Sequence, residues 1–417
     1  MGTSVERVDG QNAGDDRHDV CVLGLGYVGL PTAAVLATRG KKIAGVDTRN
    51  DVVATINEGR IHIVEPELDA LVRAAVAAGR LRAFAVPQPA DAFLICVPTP
   101  FAAGHVPDLG YVEAATRSLL PALRPGNLVV LESTSPPGTT REMVARILAE
   151  GGFVAGRDVF VAHAPERVLP GAVIREVVEN DRVVGGVTPA CTEAAAAFYE
   201  AFVAGEVLRC TADTAELVKL SENAFRDVNI AFANELSNVC DKLELDAWEV
   251  IQLANRHPRV NILRPGPGVG GHCIAVDPWF IVAVARERTP LIQAARKVND
   301  ERPHQVVAQV RSLGERFKRP KIACLGVTYK PDIDDVRESP ALEVVRELAR
   351  ADFGEVVLVE PHLRKSPVEG VVLAEAEEAL RTADIVVILV AHRAFSRLRR
   401  DWFNRPSVID TVGLLSR

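Results

Sequence analysis

Short β-branched runs alternate with Ala/Leu-rich helical stretches in two separate parts of this chain. After Val20 come "VCVLG", "KKIAGVD", "AFLICVP" and "NLVVLES"; after Pro320 come "KIACLG", "EVVLVEP", "DIVVILV" and "SVIDTVG". Strands apolar on both sides must be covered on both faces, and helices between them supply the cover. The expected fold class is therefore α/β, with two Rossmann-like doubly wound parallel sheets. Between them, Asp213 to Asp246 contains no Pro or Gly and predicts a long central helix joining the halves. A second helical stretch runs from Pro278 to about Leu313, with prolines at 290 and 303. The expected organisation is a loose tail over 1–19, an α/β domain over 20–205, a central helical domain over 206–313 and a second α/β domain over 314–417.

Composition narrows the function classes. The 417 residues carry a formal net charge of −7, so no basic footprint points to nucleic acid. The start, "MGTSVERVDGQNAGDDRHD", is polar and mixed in charge, unlike a signal peptide. Runs such as "ADIVVILVA" are too short to span a bilayer, so no membrane association and a cytoplasmic location are expected. The seven cysteines include no CxxC pair, which argues against a disulfide framework and a metal site. Cys21, Cys96 and Cys324 lie in apolar runs and are expected as small core residues.

"VCVLGLGYVGLP" places Gly24, Gly26 and Gly29 in a GxGxxG pattern between a strand and a helix. The first glycine makes the turn, the second admits a pyrophosphate, and the third lets helix and strand pack closely. Asp47 ends the next strand at about the spacing of roughly 20 residues where a carboxylate accepts the ribose 2′-OH. That favours NAD over NADP, with Arg49 the one feature against. The second half has only Gly326 in its matching turn, followed by Lys330 and Arg337. It reads either as a degenerate copy holding a different nucleotide or as a solvated charged loop.

Two further features carry chemistry. Lys219, Asn223 and Arg226 recur at i, i+4 and i+7, one helical face of donors that suits an anionic substrate or an oxyanion. The alternative is an ordinary solvated face. In "GPGVGGHCIAVDPWF", Cys273 follows two glycines and a histidine, and Asp277 comes four residues later. If a helix begins near Cys273, thiol and carboxylate share a side. A nucleophile beside a base in an NAD-binding chain points to covalent oxidation: alcohol to aldehyde, thiol addition, a second hydride transfer to give a thioester, then hydrolysis. The competing reading is a buried cysteine, with Asp277 capping the next helix.

The markers "GLGYVGLP", "EPELDAL", "ICVPTP", "ESTSPPGTT", "APERVLPG", "ELVKLSENAFRD", "HPRVN", "GPGVGGHCIAVDPW" and "TYKPDIDDVRES" occur in this order. In them the chain resembles the UDP-glucose/GDP-mannose dehydrogenases, the nucleotide-sugar 6-dehydrogenases, from about Val20 onward. The resemblance implies a UDP-sugar substrate, oxidation of its C6 alcohol to the carboxylate with two NAD, and a product used in a cell-surface polysaccharide. It implies Cys273 as nucleophile, Lys219 for the proton or oxyanion, Asp277 near the attacked carbon and Glu166 as a further site acid. Arg167, Val168, Lys219, Asn223, Arg226, His257, Arg259 and Gly270 match substrate positions, as do Tyr329 and Lys330. Tyr27, Val28, Asp47, Thr99, Thr134 and Arg337 match cofactor positions. Arg259, whose counterpart reaches a neighbouring subunit, implies with the long helix a homodimer or higher homo-oligomer.

Within the family, "GGHC" stands where glucose members carry GGSC, and Arg167 and Pro170 also depart from the glucose pattern. The branch it resembles acts on UDP-N-acetyl-D-mannosamine, with UDP-N-acetylglucosamine or UDP-glucose as the alternative substrate. Two rival classes remain: a two-electron dehydrogenase of the 6-phosphogluconate type and a non-enzymatic NAD-binding regulator. The first would need neither Cys273 nor the second α/β half, and the second has no use for a thiol, a carboxylate and a cationic stripe together.

Overall fold

The computed structural model describes residues 17–63, 65–102, 104–168, 171–271, 273–404 and 407–416. Residues 1–16 of the expected tail, Pro170 and His272 lie outside the described residues. The chain divides into two compact units, Met1–Lys219 and Leu220–Arg417.

The first unit is an eight-stranded sheet. Its strands are β1 (His18–Leu23), β2 (Ile43–Val46), β3 (Leu81–Phe84), β4 (Ala90–Ile95), β5 (Leu128–Leu131), β6 (Phe160–His163), β7 (Arg182–Gly186) and β8 (Val207–Thr211). Their spatial order is β8-β7-β6-β5-β4-β1-β2-β3, which contains the doubly wound order 3-2-1-4-5-6. Successive residues of β1 show why both faces are covered. Val20 and Val22 point into one apolar core, and Cys21 and Leu23 into another. Each buried Val or Leu side chain of this kind stabilises the fold by ~1.5–3 kcal/mol. The expectation of a parallel sheet needs one amendment, because β7 runs antiparallel to β6. That reversal carries Arg182, at the start of β7, to the carboxyl end of β6.

The second unit repeats the plan with β9 (Lys321–Leu325), β10 (Glu355–Val359), β11 (Val372–Leu373), β12 (Ile385–Ile388) and β13 (Val408–Asp410), in the order β11-β10-β9-β12-β13, all parallel. In both sheets the order reverses beside the first strand, and ligands of such sheets bind there, outside the carboxyl ends.

Five helices matter for the site: α1 (Gly29–Thr38), α2 (Ala212–Leu243), α3 (Ala247–Ala254), α4 (Asp277–Val284) and α5 (Pro290–Gly314). The 32-residue α2 is the expected central helix. The stretch read as one helix from Pro278 to Leu313 is two, because Pro290 begins a new helix. Pro303 lies inside α5, where it withholds the N–H that the Asn299 carbonyl would otherwise receive.

Candidate active site

In the first unit the three fingerprint glycines differ in what surrounds them. Gly24 has φ +92°, and a Cβ there would lie 2.6 Å from the Cys96 carbonyl oxygen. A Cβ on Gly29 would lie 1.9 Å from the Gly24 oxygen, so α1 can approach β1 only without one. A Cβ on Gly26 would meet nothing within 4 Å, which leaves open space where a pyrophosphate needs backbone access. The Asp47 carboxylate ties β2 to this turn, accepting from Leu25 N at 3.2 Å and from Arg49 N at 3.0 Å. The Arg49 guanidinium is paired with Asp51, so it is not an uncommitted cation for a 2′-phosphate. Tyr27 is exposed and Val28 half-buried at the entry to α1. Thr99 and Thr134 are half-buried in the loops that follow β4 and β5. The open backbone at Gly26 and the carboxylate at the tip of β2 fit the phosphates and a ribose of a dinucleotide.

Beneath this edge lies a buried polar cluster that the sequence did not reveal. Tyr199 donates to Glu132 Oε1 at 2.5 Å, and the Cys96 thiol donates to Oε2 at 3.2 Å. Burial pushes both the Glu132 carboxyl and the Cys96 thiol up. Cys96 is therefore a member of a polar network rather than a plain core residue. Arg182 Nη1 meets Glu166 Oε2 at 2.8 Å, and its guanidinium stacks 5.0 Å from the Tyr199 ring centre. Arg167 N donates to the other Glu166 oxygen at 2.7 Å, and the Arg167 side chain reaches the Asp181 carbonyl at 2.6 Å. With both oxygens engaged, Glu166 braces the turn over 165–168. Val168 is half-buried against the apolar core.

The donor stripe on α2 is not one uniform face. Lys219 is half-buried, Asn223 buried and Arg226 exposed. In the second unit Asn223 Nδ2 donates to Asp277 Oδ2 at 2.6 Å. Asp277 is buried and is the first residue of α4, with Val276 in the capping position and no side-chain cap. The expected helix start near Cys273 is thus replaced by a single turn, in which the Cys273 carbonyl accepts from Val276 N at 3.0 Å and Asp277 N at 2.9 Å. Cys273 and Asp277 stay one turn apart along the backbone, but Cys273 is exposed while Asp277 is buried. Cys273 is therefore not the buried cysteine of the competing reading.

The glycines before the thiol are packed against protein. A Cβ on Gly270 would lie 2.3 Å from the Glu338 oxygen. Gly271, with φ +81°, would bring one to 2.9 Å from the Tyr329 ring. The expected contacts Tyr329 and Lys330 are half-buried beside this loop, with the Lys330 carbonyl held by Thr328 Oγ1 at 2.9 Å. Arg337 is exposed and paired with Asp335 at 2.7 Å. His257 and Arg259 are exposed on a turn after α3, where Arg259 N donates to His257 Nδ1 at 3.3 Å.

The second sheet also repeats the acid of the first. Gly326 has φ +88°, and Glu360 at the tip of β10 accepts from Val327 N at 2.9 Å and His362 N at 3.1 Å. This is the pattern of Leu25, Arg49 and Asp47. Glu360 is however buried and capped by His392 Nε2 at 3.1 Å. Burial raises its carboxyl, but His392 and the backbone donors outweigh that and hold it below its ordinary range. Asp332, His362 and His392 come within 4.8 Å of one another. Two of the three are committed, His392 Nδ1 to Asp332 N at 2.9 Å and the Asp332 carboxylate to Arg393 at 2.7 Å.

Family models match nearly the whole chain: the NAD binding domain over 18–203, the central domain over 213–301 and the UDP binding domain over 323–417 of the UDP-glucose/GDP-mannose dehydrogenase family. The chain belongs to this family. As a UDP-glucose/GDP-mannose dehydrogenase family member it is an NAD-dependent nucleotide-sugar dehydrogenase. It is 56% identical over 410 residues to an NDP-N-acetyl-D-galactosaminuronic acid dehydrogenase of Ralstonia nicotianae, covering 96% of this chain and 97% of that one. It is 52% identical over 400 residues to a UDP-N-acetyl-D-mannosamine dehydrogenase of Campylobacter jejuni, covering 92% and 98%. The solved UDP-D-ManNAc dehydrogenase of Pyrococcus horikoshii matches with a TM-score of 0.87 at 39% identity, over 95% of this chain and 96% of that one. No helix among the described residues is long and apolar enough to cross a membrane.

Proposed function

We propose that the chain oxidises the C6 alcohol of a UDP-linked 2-acetamido sugar to the uronate through a thioester on Cys273, and that the sugar is N-acetyl-D-mannosamine. The observation that carries this is the pairing of an exposed thiol with a buried, Asn223-held carboxylate one turn on. NAD, when bound, supplies two successive two-electron oxidations. Per sugar the balance is one alcohol, one water and two NAD⁺ giving one carboxylate, two NADH and three protons.

The chain's own residues do the rest. Lys219 stabilises the alkoxide and later the oxyanion. Cys273 adds to the aldehyde carbon, which keeps that intermediate on the protein. Asp277 takes a proton from the water that releases the acid, and Asn223 holds its carboxylate in place. Arg226, His257, Arg259, Tyr329 and Lys330 bind the UDP-sugar, with Arg167, Val168 and Gly270 lining the sugar. Tyr27, Val28, Asp47, Thr99, Thr134 and Arg337 serve the cofactor. Glu166, braced by Arg182, orders the turn that carries Arg167. A UDP-sugar and NAD as reactants support a cytoplasmic location for this reading.

A galacto-configured substrate is the second reading, supported by the name of the 56% identical relative. A panel of UDP-sugars assayed for NADH separates the two. UDP-N-acetyl-D-mannosamine should be turned over fastest, with two NADH per sugar and no free aldehyde. One NADH per sugar, or full activity in Cys273→Ser, would remove the thioester.

We also propose a homodimer. Phe225, Phe232 and Val239 recur every seventh residue on α2 and are 68%, 53% and 48% exposed, a stripe that a second copy would cover. Light scattering should give a dimer that Phe232→Asp weakens; an active monomer refutes it.

A further inference from the structure

From the end of α3 to the start of α4 the described residues form no helix or strand, yet this segment has to deliver Cys273 to a fixed place. Side chains of α2 and α5 hold it. Asn234 Oδ1 accepts from Gly266 N at 2.8 Å, and Arg302 Nε donates to the Gly266 carbonyl at 3.1 Å. Both main-chain groups of one residue are thus gripped from two helices. Two residues on, a Cβ at Gly268 would lie 3.1 Å from the Asn299 carbonyl, the one Pro303 leaves without its helical donor.

The direction of this grip is set from deeper in the core. Arg296 Nη1 and Asn299 Nδ2 both donate to Asp227 Oδ1, at 2.6 and 2.8 Å. A carboxylate oxygen receiving two N–H donors is an acceptor, so Asn299 must turn its own oxygen the other way. That oxygen accepts from Asn234 Nδ2 at 2.9 Å, which leaves Asn234 with its oxygen toward Gly266. Each amide has one orientation that satisfies its neighbours, and a buried relay of this kind is costly to reverse. Asn234 lies eleven residues beyond Asn223, three turns of α2, so both share one face. That face holds the thiol loop at Gly266 through Asn234 and at Asp277 through Asn223.

We propose that Asn234 and Arg302 are positioning residues for Cys273, which set the thiol's place and reactivity through Gly266 without touching substrate. The proposal rests on Cys273 being the nucleophile. The test compares Asn234→Leu and Arg302→Lys with the full-length parent, with Cys273→Ser as control. Three quantities are read: kcat and KM from NADH, the pH dependence of Cys273 alkylation by iodoacetamide resolved by peptide mass spectrometry, and the melting temperature.

Misplacing a reacting group by about 1 Å costs on the order of 100-fold in rate. Asn234→Leu should therefore lower kcat by about that factor, leave the KM for NAD near the parent's and shift the alkylation profile. Arg302→Lys keeps the charge but lacks the Nε–H that meets the Gly266 carbonyl, and should do the same to a smaller degree. A folded Asn234→Leu with parental kcat and an unchanged profile overturns the proposal. If that variant does not fold, an unchanged Arg302→Lys overturns it. Two NADH per sugar from Cys273→Ser would instead sink the nucleophile reading, whatever the alkylation data show.

Discussion

Asn223, one helical turn beyond Lys219 on α2, donates to the Asp277 carboxylate at 2.6 Å. The bond anchors the residue that follows the thiol loop to the helix that carries the donor stripe. Asp277→Asn retains the shape and removes the base. Thioester hydrolysis should then slow more than thioester formation, and an acyl adduct on Cys273 should accumulate and be visible by intact-protein mass spectrometry. If turnover is slow and the thiol stays unmodified under saturating substrate, Asp277 acts before the thioester.

Lys219→Ala should damage kcat far more than KM, because its charge is needed only once an alkoxide or oxyanion develops. Losing such a donor raises the barrier by roughly 2.7–4 kcal/mol. Steady-state kinetics check this, and an unchanged kcat would return Lys219 to an ordinary helix face.

Asp47→Ala should lower kcat/KM for NAD by about 10- to 150-fold, the equivalent of a charged hydrogen bond worth ~1.5–3 kcal/mol. NADP should lose much less, because the repulsion of its 2′-phosphate is gone. Arg49 is held by Asp51, so it does not offset this loss. Equal use of both cofactors by the unaltered enzyme contradicts the assignment.

Gly271→Ala combines two penalties. Its φ of +81° costs an L-residue about 1–2 kcal/mol, and the new methyl meets the Tyr329 ring at 2.9 Å. Adding Tyr329→Ala should restore the steric share and leave the backbone share, a coupling readable from urea unfolding of the four proteins. Strict additivity would place the ring and the loop out of contact.

The fully buried His163 imidazole, at the end of β6, is pushed down to about 3 by desolvation, against a smaller opposing pull from the Leu131 carbonyl. The unfolded chain takes up this proton near the usual value of about 6.5, so it binds more protons than the folded one between the two values. The stability associated with a neutral His163 is complete above pH ~6.5 and is lost as pH falls toward ~3, on the order of 5 kcal/mol in all. His163→Leu should show a shallower fall in melting temperature between pH 7 and 4. Parallel slopes would mean that His163 protonates inside the fold.

What was legible in the sequence is what local chemistry decides. An apolar strand, a proline-free helix and the Gly24-x-Gly26 turn each follow from a few adjacent residues, and the structure shows all three. The one-turn separation of Cys273 and Asp277 along the backbone was legible for the same reason, since four residues make one turn, although the turn precedes the helix instead of belonging to it. Gly270 and Gly271, just before the thiol, leave room for Glu338 and Tyr329, more than fifty residues away, which nothing in the neighbouring sequence announces. The grip of Asn234 and Arg302 on Gly266, the enclosure of Glu132 by Tyr199 and Cys96, and the capping of Glu360 by His392 join residues some 30 to 70 positions apart. An asparagine on a helix gives no local sign of its partner. Only the tertiary structure, which buries these groups and makes an unmet donor or acceptor expensive, decides which of them must meet.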